Sequence, residues 1–257
     1  MSGAATETLR IAMWSGPRNI STAMMRAFEN RDDCSVVDEP LYAHYLAHTH
    51  SDHPGAEEVI ANGETDWRRV VTTLLGPAPE ARPVWYQKHM SHHLLDHIER
   101  DWIHGLTNVF LIRDPIDVVA SYVKSRANVT AADIGLQQEA HLFDEVAQRM
   151  GHAPPVIDAT EFLQAPEAHL RALCAWLGIA FSERMLHWPA GPRASDGIWA
   201  PHWYAAVWRS TGFEAPHPRE HALSAAAEQA VDEARPWYES LHRHRLQLTA
   251  PTAAATG

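Results

Sequence analysis

The chain has 257 residues, 46% of them hydrophobic, enough for one sizeable core and for one large or two small domains. Lys and Arg number 21 against 32 Asp and Glu, and the net charge of −11 argues against a duplex-binding surface or a polybasic membrane anchor, so any anion site must be local. No apolar run approaches the ~20 residues of a membrane span, the start MSGAATETLR lacks a charged and apolar leader, and Cys34 and Cys174 read as reduced, packed thiols; the expectation is a cytoplasmic protein without nucleic-acid or membrane partners.

In chain order, the first β-rich apolar run is LRIAMW (9 to 14), which turns through Gly16-Pro17-Arg18-Asn19 into a predicted helix over 21 to 31. Further strands are predicted at CSVVD (34 to 38), PVWYQK (83 to 88), NVFLIR (108 to 113) and PVIDA (155 to 159). Between and after them, helical periods run over 57 to 75, 92 to 102, 116 to 126, 135 to 150, 166 to 178 and 218 to 243. Asp114 and Pro115 suit an N-cap and a first-turn proline for the helix at 116. WPAGPRASDGIWAPHW (188 to 203) has no period, and its three tryptophans argue against disorder, so it reads as a functional loop. The alternation predicts an α/β fold of three layers, a parallel central sheet flanked by helices, in one domain over 8 to 248, with tails at 1 to 7 and 249 to 257 that are small and polar enough to fray.

A strand turning tightly into a helix N-terminus presents unpaired backbone N–H groups and the positive end of the helix dipole, which favour a phosphate. At the first such junction Arg18 adds a cation, and Ser21 and Thr22 add hydroxyls. A nucleotide-triphosphate loop would need Gly-Lys before the hydroxyl residue, and GPRNIST lacks it. A second junction, VFLIRDPIDVVASYVKSR, places Arg113 at a strand end and Ser121 eight residues later in the next helix. Two junctions at the C-terminal ends of parallel strands would face one crevice.

Together these motifs resemble the sulfotransferase family, whose members use 3′-phosphoadenosine 5′-phosphosulfate (PAPS). GPRNIST is similar to the family's 5′-phosphosulfate loop, Pro-(Lys or Arg)-Ser-Gly-(Thr or Ser)-Thr, with Pro17, Arg18, Ser21 and Thr22 on matching positions. It departs at Asn19 and Ile20, where the family usually has Ser-Gly, and glycine's conformational freedom is missing at Ile20. Arg113 and Ser121 match the family's 3′-phosphate site, and GPRASDGIW resembles weakly the Arg-Lys-Gly segment that closes over the nucleotide, which offers Arg193 as a second 3′-phosphate contact and Trp199 as a ring near the adenine. The resemblance implies a P-loop-like sulfotransferase fold, a nucleotide sulfate donor contacted by residues 17 to 22, and transfer to a hydroxyl-bearing (or amine) small-molecule acceptor.

Such transfer needs cations on the departing phosphate and a base for the acceptor proton. Arg18 would serve as a standing charge, since a guanidinium stays protonated near neutrality. Two bases are open: Glu39, in VVDEPLY, resembles the Glu-Pro segment of carbohydrate and bacterial sulfotransferases, and His89, in YQKHM, sits near the catalytic histidine position of small-molecule enzymes. Trp14, Trp85, Tyr42, Tyr45 and HWYAAVWRSTGF (202 to 213) are candidates for an aromatic acceptor pocket. Among 18 histidines, HYLAHTHSDH and HMSHHLLDH have ligand-compatible spacing, but no HExxH or Cys-bearing zinc motif is present, and transfer needs no Mg²⁺, so no metal is assigned. The alternatives are a P-loop-like phosphotransferase using Asp38 or Asp114 as magnesium ligand or base, and a catalytically silent nucleotide-binding module.

Overall fold

The computed structural model describes residues 8–124, 129–215 and 222–248. Both predicted tails, the end of the helix predicted to reach 126 and the start of the one predicted from 218 lie outside the described residues. Strands β1 (Leu9–Ser15), β2 (Cys34–Asp38), β3 (Val84–Met90), β4 (Thr107–Ile112) and β5 (Val156–Asp158) form a parallel sheet in the order β2-β3-β1-β4-β5. The helices in chain order are α1 (Ser21–Glu29), α2 (Tyr42–Thr49), α3 (Ala56–Asn62), α4 (Trp67–Leu75), α5 (Pro115–Tyr122), α6 (Ala131–Ile134), α7 (Leu136–Met150), α8 (Ala159–Gln164), α9 (Pro166–Leu177), α10 (Ala200–Trp203), α11 (Ala205–Arg209) and α12 (Ala225–His242).

The central strands are apolar on both sides because both faces are covered. On one face Ile11 and Met13 pack with Met24, Met25 and Phe28 of α1 and with Leu170 and Leu173 of α9. On the other, Ala12, Trp14, Phe110 and Ile112 meet Val118 and Val119 of α5, Phe143 and Val146 of α7, and Ala230 and Ala234 of α12. Each large apolar side chain so buried is worth about 1.5–3 kcal/mol. From β1 the chain leaves over the α1 face toward β2, whereas from β4 it leaves over the α5 face toward β5. The crevice therefore opens between the C-terminal ends of β1 and β4.

Two helical expectations change. The period over 57 to 75 is broken into α3 and α4: Gly63 ends the first, a Cβ there lying 2.5 Å from that of Ala43, and the Asp66 side chain caps the second by accepting from the Arg68 amide. The segment predicted helical at 92 to 102 contains instead two 3₁₀ turns, Ser91–His93 and Asp101–Gly105. Leu94 leaves helical dihedrals at φ −83°, ψ 81°, yet Leu94, Ile98 and Trp102 remain buried, so the apolar spacing is used without a continuous hydrogen-bond ladder. Among the described residues no helix is long and apolar enough to cross a membrane.

The long loop is ordered by polar anchors. Asp196 accepts from the buried Arg26 guanidinium of α1, from the Arg193 amide at 2.8 Å and from the Trp208 indole at 2.9 Å. At the sheet, Asp38 accepts from the Gly197 amide at 3.2 Å and the Tyr204 hydroxyl at 2.7 Å.

Candidate active site

The β1–α1 loop is shaped by contacts on three sides. Gly16 lies so close to α6 that a Cβ would sit 2.6 Å from the Ile134 carbonyl, so the close approach excludes a side chain. Asn19 pins the loop to β4, donating from Nδ2 to the Leu111 carbonyl at 2.7 Å while its Oδ1 accepts from the Ile20 amide at 2.8 Å. The left-handed residue is Arg18, at φ +57°, whereas Ile20 has φ −88°. This corrects the expectation about glycine: the position that lacks it does not need its freedom. No side chain caps α1 and no acidic residue stands in its first turn, which leaves that turn's amides for an anion.

The Arg18 Nε donates to Ser121 Oγ at 3.0 Å, and Arg113 donates from Nη1 to the Arg18 carbonyl at 3.0 Å. Asp117, in the first turn of α5, lies 3.7 Å from Arg113 Nε and helps to orient it. The two strand-to-helix junctions are thus in direct contact. Pro17, Arg18, Asn19, Ile20, Ser21 and Thr22, together with Arg113 and Ser121, line one cavity of about 470 Å³.

Glu39, Lys88 and His93 line the same cavity. Glu39 takes φ +40° directly after β2, a strained position for a non-glycine residue that turns its carboxylate toward the end of β3. Lys88 is buried, and its Nζ donates to Asp38 Oδ1 at 2.8 Å, Glu39 Oε1 at 2.5 Å and the Tyr204 hydroxyl at 2.7 Å. Burial by itself would lower the Lys88 pKa, but Asp38 and Glu39 raise it well above its ordinary value, so the ammonium is fixed. Burial raises the Glu39 pKa, opposed by the attraction of Lys88. His93 Nδ1 lies 4.0 Å from Glu39 Oε2, and burial together with the neighbouring His92 and His53 holds the ring well below its ordinary pKa, hence neutral.

His89 is not brought to the cavity. Its ring is buried, stacks on Trp14 with centroids 4.4 Å apart and meets Gln87 Oε1 at 3.3 Å, and burial lowers its pKa to about 3. The alternation of a strand decides this: Lys88 and Met90 line the cavity, and the residue between them points to the opposite face. Arg193 is also elsewhere, 3.6 Å from Glu29 at the far end of α1, and Trp199 packs edge-on against Tyr42 at 5.0 Å and donates to the Tyr204 hydroxyl at 3.3 Å. Of the expected aromatic wall, Trp14 and Trp85 are core residues, while Tyr42, Trp203, Tyr204 and Phe213 face the cavity. Asp38 has both oxygens engaged, Asp114 caps α5 through the Ile116 amide and accepts from Arg235 at 2.8 Å, and neither carboxylate lines the cavity.

Residues 9–245 match the profile described as the sulfotransferase domain. The chain belongs to the sulfotransferase domain family. A solved sulfotransferase from Alicyclobacillus acidocaldarius shares the fold of this sulfotransferase domain with a TM-score of 0.55 at 12% identity, over 92% of this chain and 96% of that one. Two Arabidopsis thaliana proteins are similar in sequence. Branched-chain-amino-acid aminotransferase-like protein 2 is 35% identical over 245 residues, and protein 1 of the same name is 36% identical over 236. These matches cover 94% and 91% of this chain but 43% and 42% of those proteins, so the sulfotransferase domain spans less than half the length of these relatives.

Lys88 is the site residue to which sequence reasoning gave no role, while His93 and Tyr204 were named only within the stretches HMSHHLLDH and HWYAAVWRSTGF. Lys88 carried a signal: it is one of two lysines in a chain that otherwise uses arginine, and it sits inside an apolar strand.

Proposed function

We propose that the protein transfers a sulfuryl group from 3′-phosphoadenosine 5′-phosphosulfate to the hydroxyl (or amine) of a small-molecule acceptor. The observation that carries this reading is the convergence of the residues 17–22 loop, the Arg113–Ser121 pair and the Glu39–Lys88 pair on one cavity. Its volume of about 470 Å³ falls in the range of small-molecule sites. Two guanidiniums, three hydroxyls and the uncapped first turn of α1 suit a donor with two separate phosphate groups.

In the reaction, the acceptor oxygen attacks sulfur in line. The bond from sulfur to the bridging oxygen breaks, and its electron pair stays on the 5′-phosphate of the nucleotide product. Arg18 stabilises that phosphate as a standing charge, because a guanidinium does not give up its proton near neutrality. Glu39 takes the proton of the acceptor hydroxyl, a role for which burial has made it more basic than a solvated glutamate. Lys88 holds Glu39 in place and, being fixed as a cation between two carboxylates, does not compete for that proton. Tyr42, Trp203 and Phe213 would offer the acceptor an aromatic wall.

Calorimetric titration with 3′-phosphoadenosine 5′-phosphate, set against ATP with Mg²⁺, tests the donor, with selective binding of the first expected. A panel of phenols, alcohols and amines, read by mass spectrometry for sulfated product, tests turnover. Preference for ATP would favour a phosphotransferase, and binding without product across the panel would favour a silent module.

A further inference from the structure

Three imidazoles meet on the far side of α2, outside the nucleotide cavity. His44 and His48 stand one helical turn apart on α2, and His97 approaches from the segment between the two 3₁₀ turns. One ring nitrogen of each lies within 4.8 Å of those of the other two. The ring centroids form a triangle with sides of 4.0, 5.0 and 5.0 Å.

The protonation pattern is that of ligands. A carbonyl oxygen can only accept, so His44 Nδ1 donates to the Thr65 carbonyl at 2.7 Å, and His48 Nδ1 donates to the His44 carbonyl at 2.9 Å. Both protons are thereby fixed on Nδ1, and the lone pairs of both rings are left on Nε2. A backbone carbonyl holding the remote N–H is the usual support of a metal-binding histidine, since it sets the tautomer and the ring plane. The His44 Nε2 faces the His97 Nε2 at 2.8 Å, so without a cation His97 must supply the proton between them.

We propose that His44, His48 and His97 form a binding site for one divalent transition-metal ion of the zinc class. Imidazole nitrogens suit Zn²⁺, Cu²⁺ and Ni²⁺ and suit Mg²⁺ and Ca²⁺ poorly. A tetrahedral Zn²⁺ with N ligands at about 2.0–2.1 Å sets its donors roughly 3.3 Å apart. Entry of the ion thus needs the His44–His97 pair to open by about half an ångström and the third ring to swing inward. His48 and His97 are exposed and free to make those movements, while the buried His44 fixes the position. Solvent at the exposed edge supplies the fourth ligand.

The site would join α2 to a segment 53 residues away. α2 carries Tyr42, and the 3₁₀ turn just before the His97 segment carries His92 and His93, all of which line the nucleotide cavity. The ion therefore braces a wall of that cavity without entering it, and its binding energy adds to folding stability. This inference stands independently of the proposed transferase activity.

The test is titration of the full, chelator-stripped chain with Zn²⁺ by calorimetry, and with Co²⁺ by visible absorption. One ion per chain, tetrahedral-type cobalt bands and a Tm that rises with Zn²⁺ are expected. His48→Ala and His97→Ala, at exposed positions that leave the core intact, are each expected to weaken binding by at least about 10–100-fold and to remove the Tm rise. His50→Ala and His152→Ala are expected to change neither. The proposal is overturned if no 1:1 binding is seen, or if both His48→Ala and His97→Ala bind as the unmodified chain does.

Discussion

Arg18 Nε donates to Ser121 Oγ at 3.0 Å across a separation of 103 residues, joining the loop after β1 to the last turn of α5. Arg113 closes the same junction through the Arg18 carbonyl, so the two strand-to-helix junctions hold each other in place. A site organised in this way would spend little further ordering entropy on the proposed nucleotide.

Nucleotide affinity is the first measurable consequence. Arg113→Ala removes a cation and the support of the Arg18 carbonyl, and a charge-assisted bond is worth about 1.5–3 kcal/mol, so a loss of roughly tenfold to a hundredfold is expected. Ser121→Ala removes one neutral hydroxyl, for roughly two- to tenfold. Calorimetry with 3′-phosphoadenosine 5′-phosphate reads both; unchanged affinity in both variants would sink the 3′-phosphate assignment.

Ile20→Gly separates two views of the loop. Because Ile20 has φ −88° and packs partly against the α1 face of the core, glycine there adds unfolded-state entropy and removes contacts, and the Tm is expected to fall with no gain in nucleotide affinity. Tighter binding in the variant would mean that the glycine conformation is the productive one.

Glu39→Gln is expected to lower turnover by about 10²–10⁴-fold while leaving nucleotide affinity near its original value. Turnover should fall as the pH drops and Glu39 gains a proton, with the acidic limb above the ~4.3 of a solvated glutamate because burial raises this group. His89→Asn should keep that limb and lose Tm instead, since the ring stacks on Trp14. An acidic limb that vanishes in His89→Asn and persists in Glu39→Gln would reverse the assignment.

Beneath the loop, the wholly buried Glu139 offers a stability test. Burial raises its pKa well above the ordinary value, opposed by the Gly16 and Leu111 amides, so the folded protein keeps this proton over a pH range in which the unfolded chain has released it. Its contribution to stability is therefore present below ~4.3 and declines as the pH rises from there toward the folded pKa. Glu139→Gln, neutral at every pH, is expected to melt above the unmodified protein at pH 8 and to converge with it near pH 4.5. Each kcal/mol relieved raises Tm by about 2–4 °C. Parallel melting curves at all pH values would show that Glu139 is solvated in solution.

The strands were legible because a sheet covered on both faces leaves continuous apolar runs, and the β1–α1 and β4–α5 junctions because Gly16-Pro17 and Asp114-Pro115 are local signals. That same double covering hid the orientation of Lys88 and His89. Without polar alternation along VWYQKHM, nothing local says which of two adjacent polar residues faces the crevice. Gly63 and Asp66 marked the break between α3 and α4, but the apolar spacing running through them pointed to one helix. Arg193 was misplaced for a different reason. The loop is anchored by Asp196 to Arg26 and by Gly197 and Tyr204 to Asp38, partners distant in sequence that no pattern within the loop reveals.

Those anchors also set the terms on which this protein could be re-engineered. Gly197 is pinned by Asp38, and an added Cβ would fall 2.1 Å from the Trp199 ring; Tyr204 is pinned by Asp38 and Lys88. Between these two posts, Ile198, Pro201 and His202 stand exposed. A library that varies those three positions while keeping the posts would sample new surfaces beside Trp203 at the cavity mouth and leave the Glu39–Lys88 pair undisturbed, whereas one that includes position 197 or 204 would remove a bond that ties the loop to Asp38.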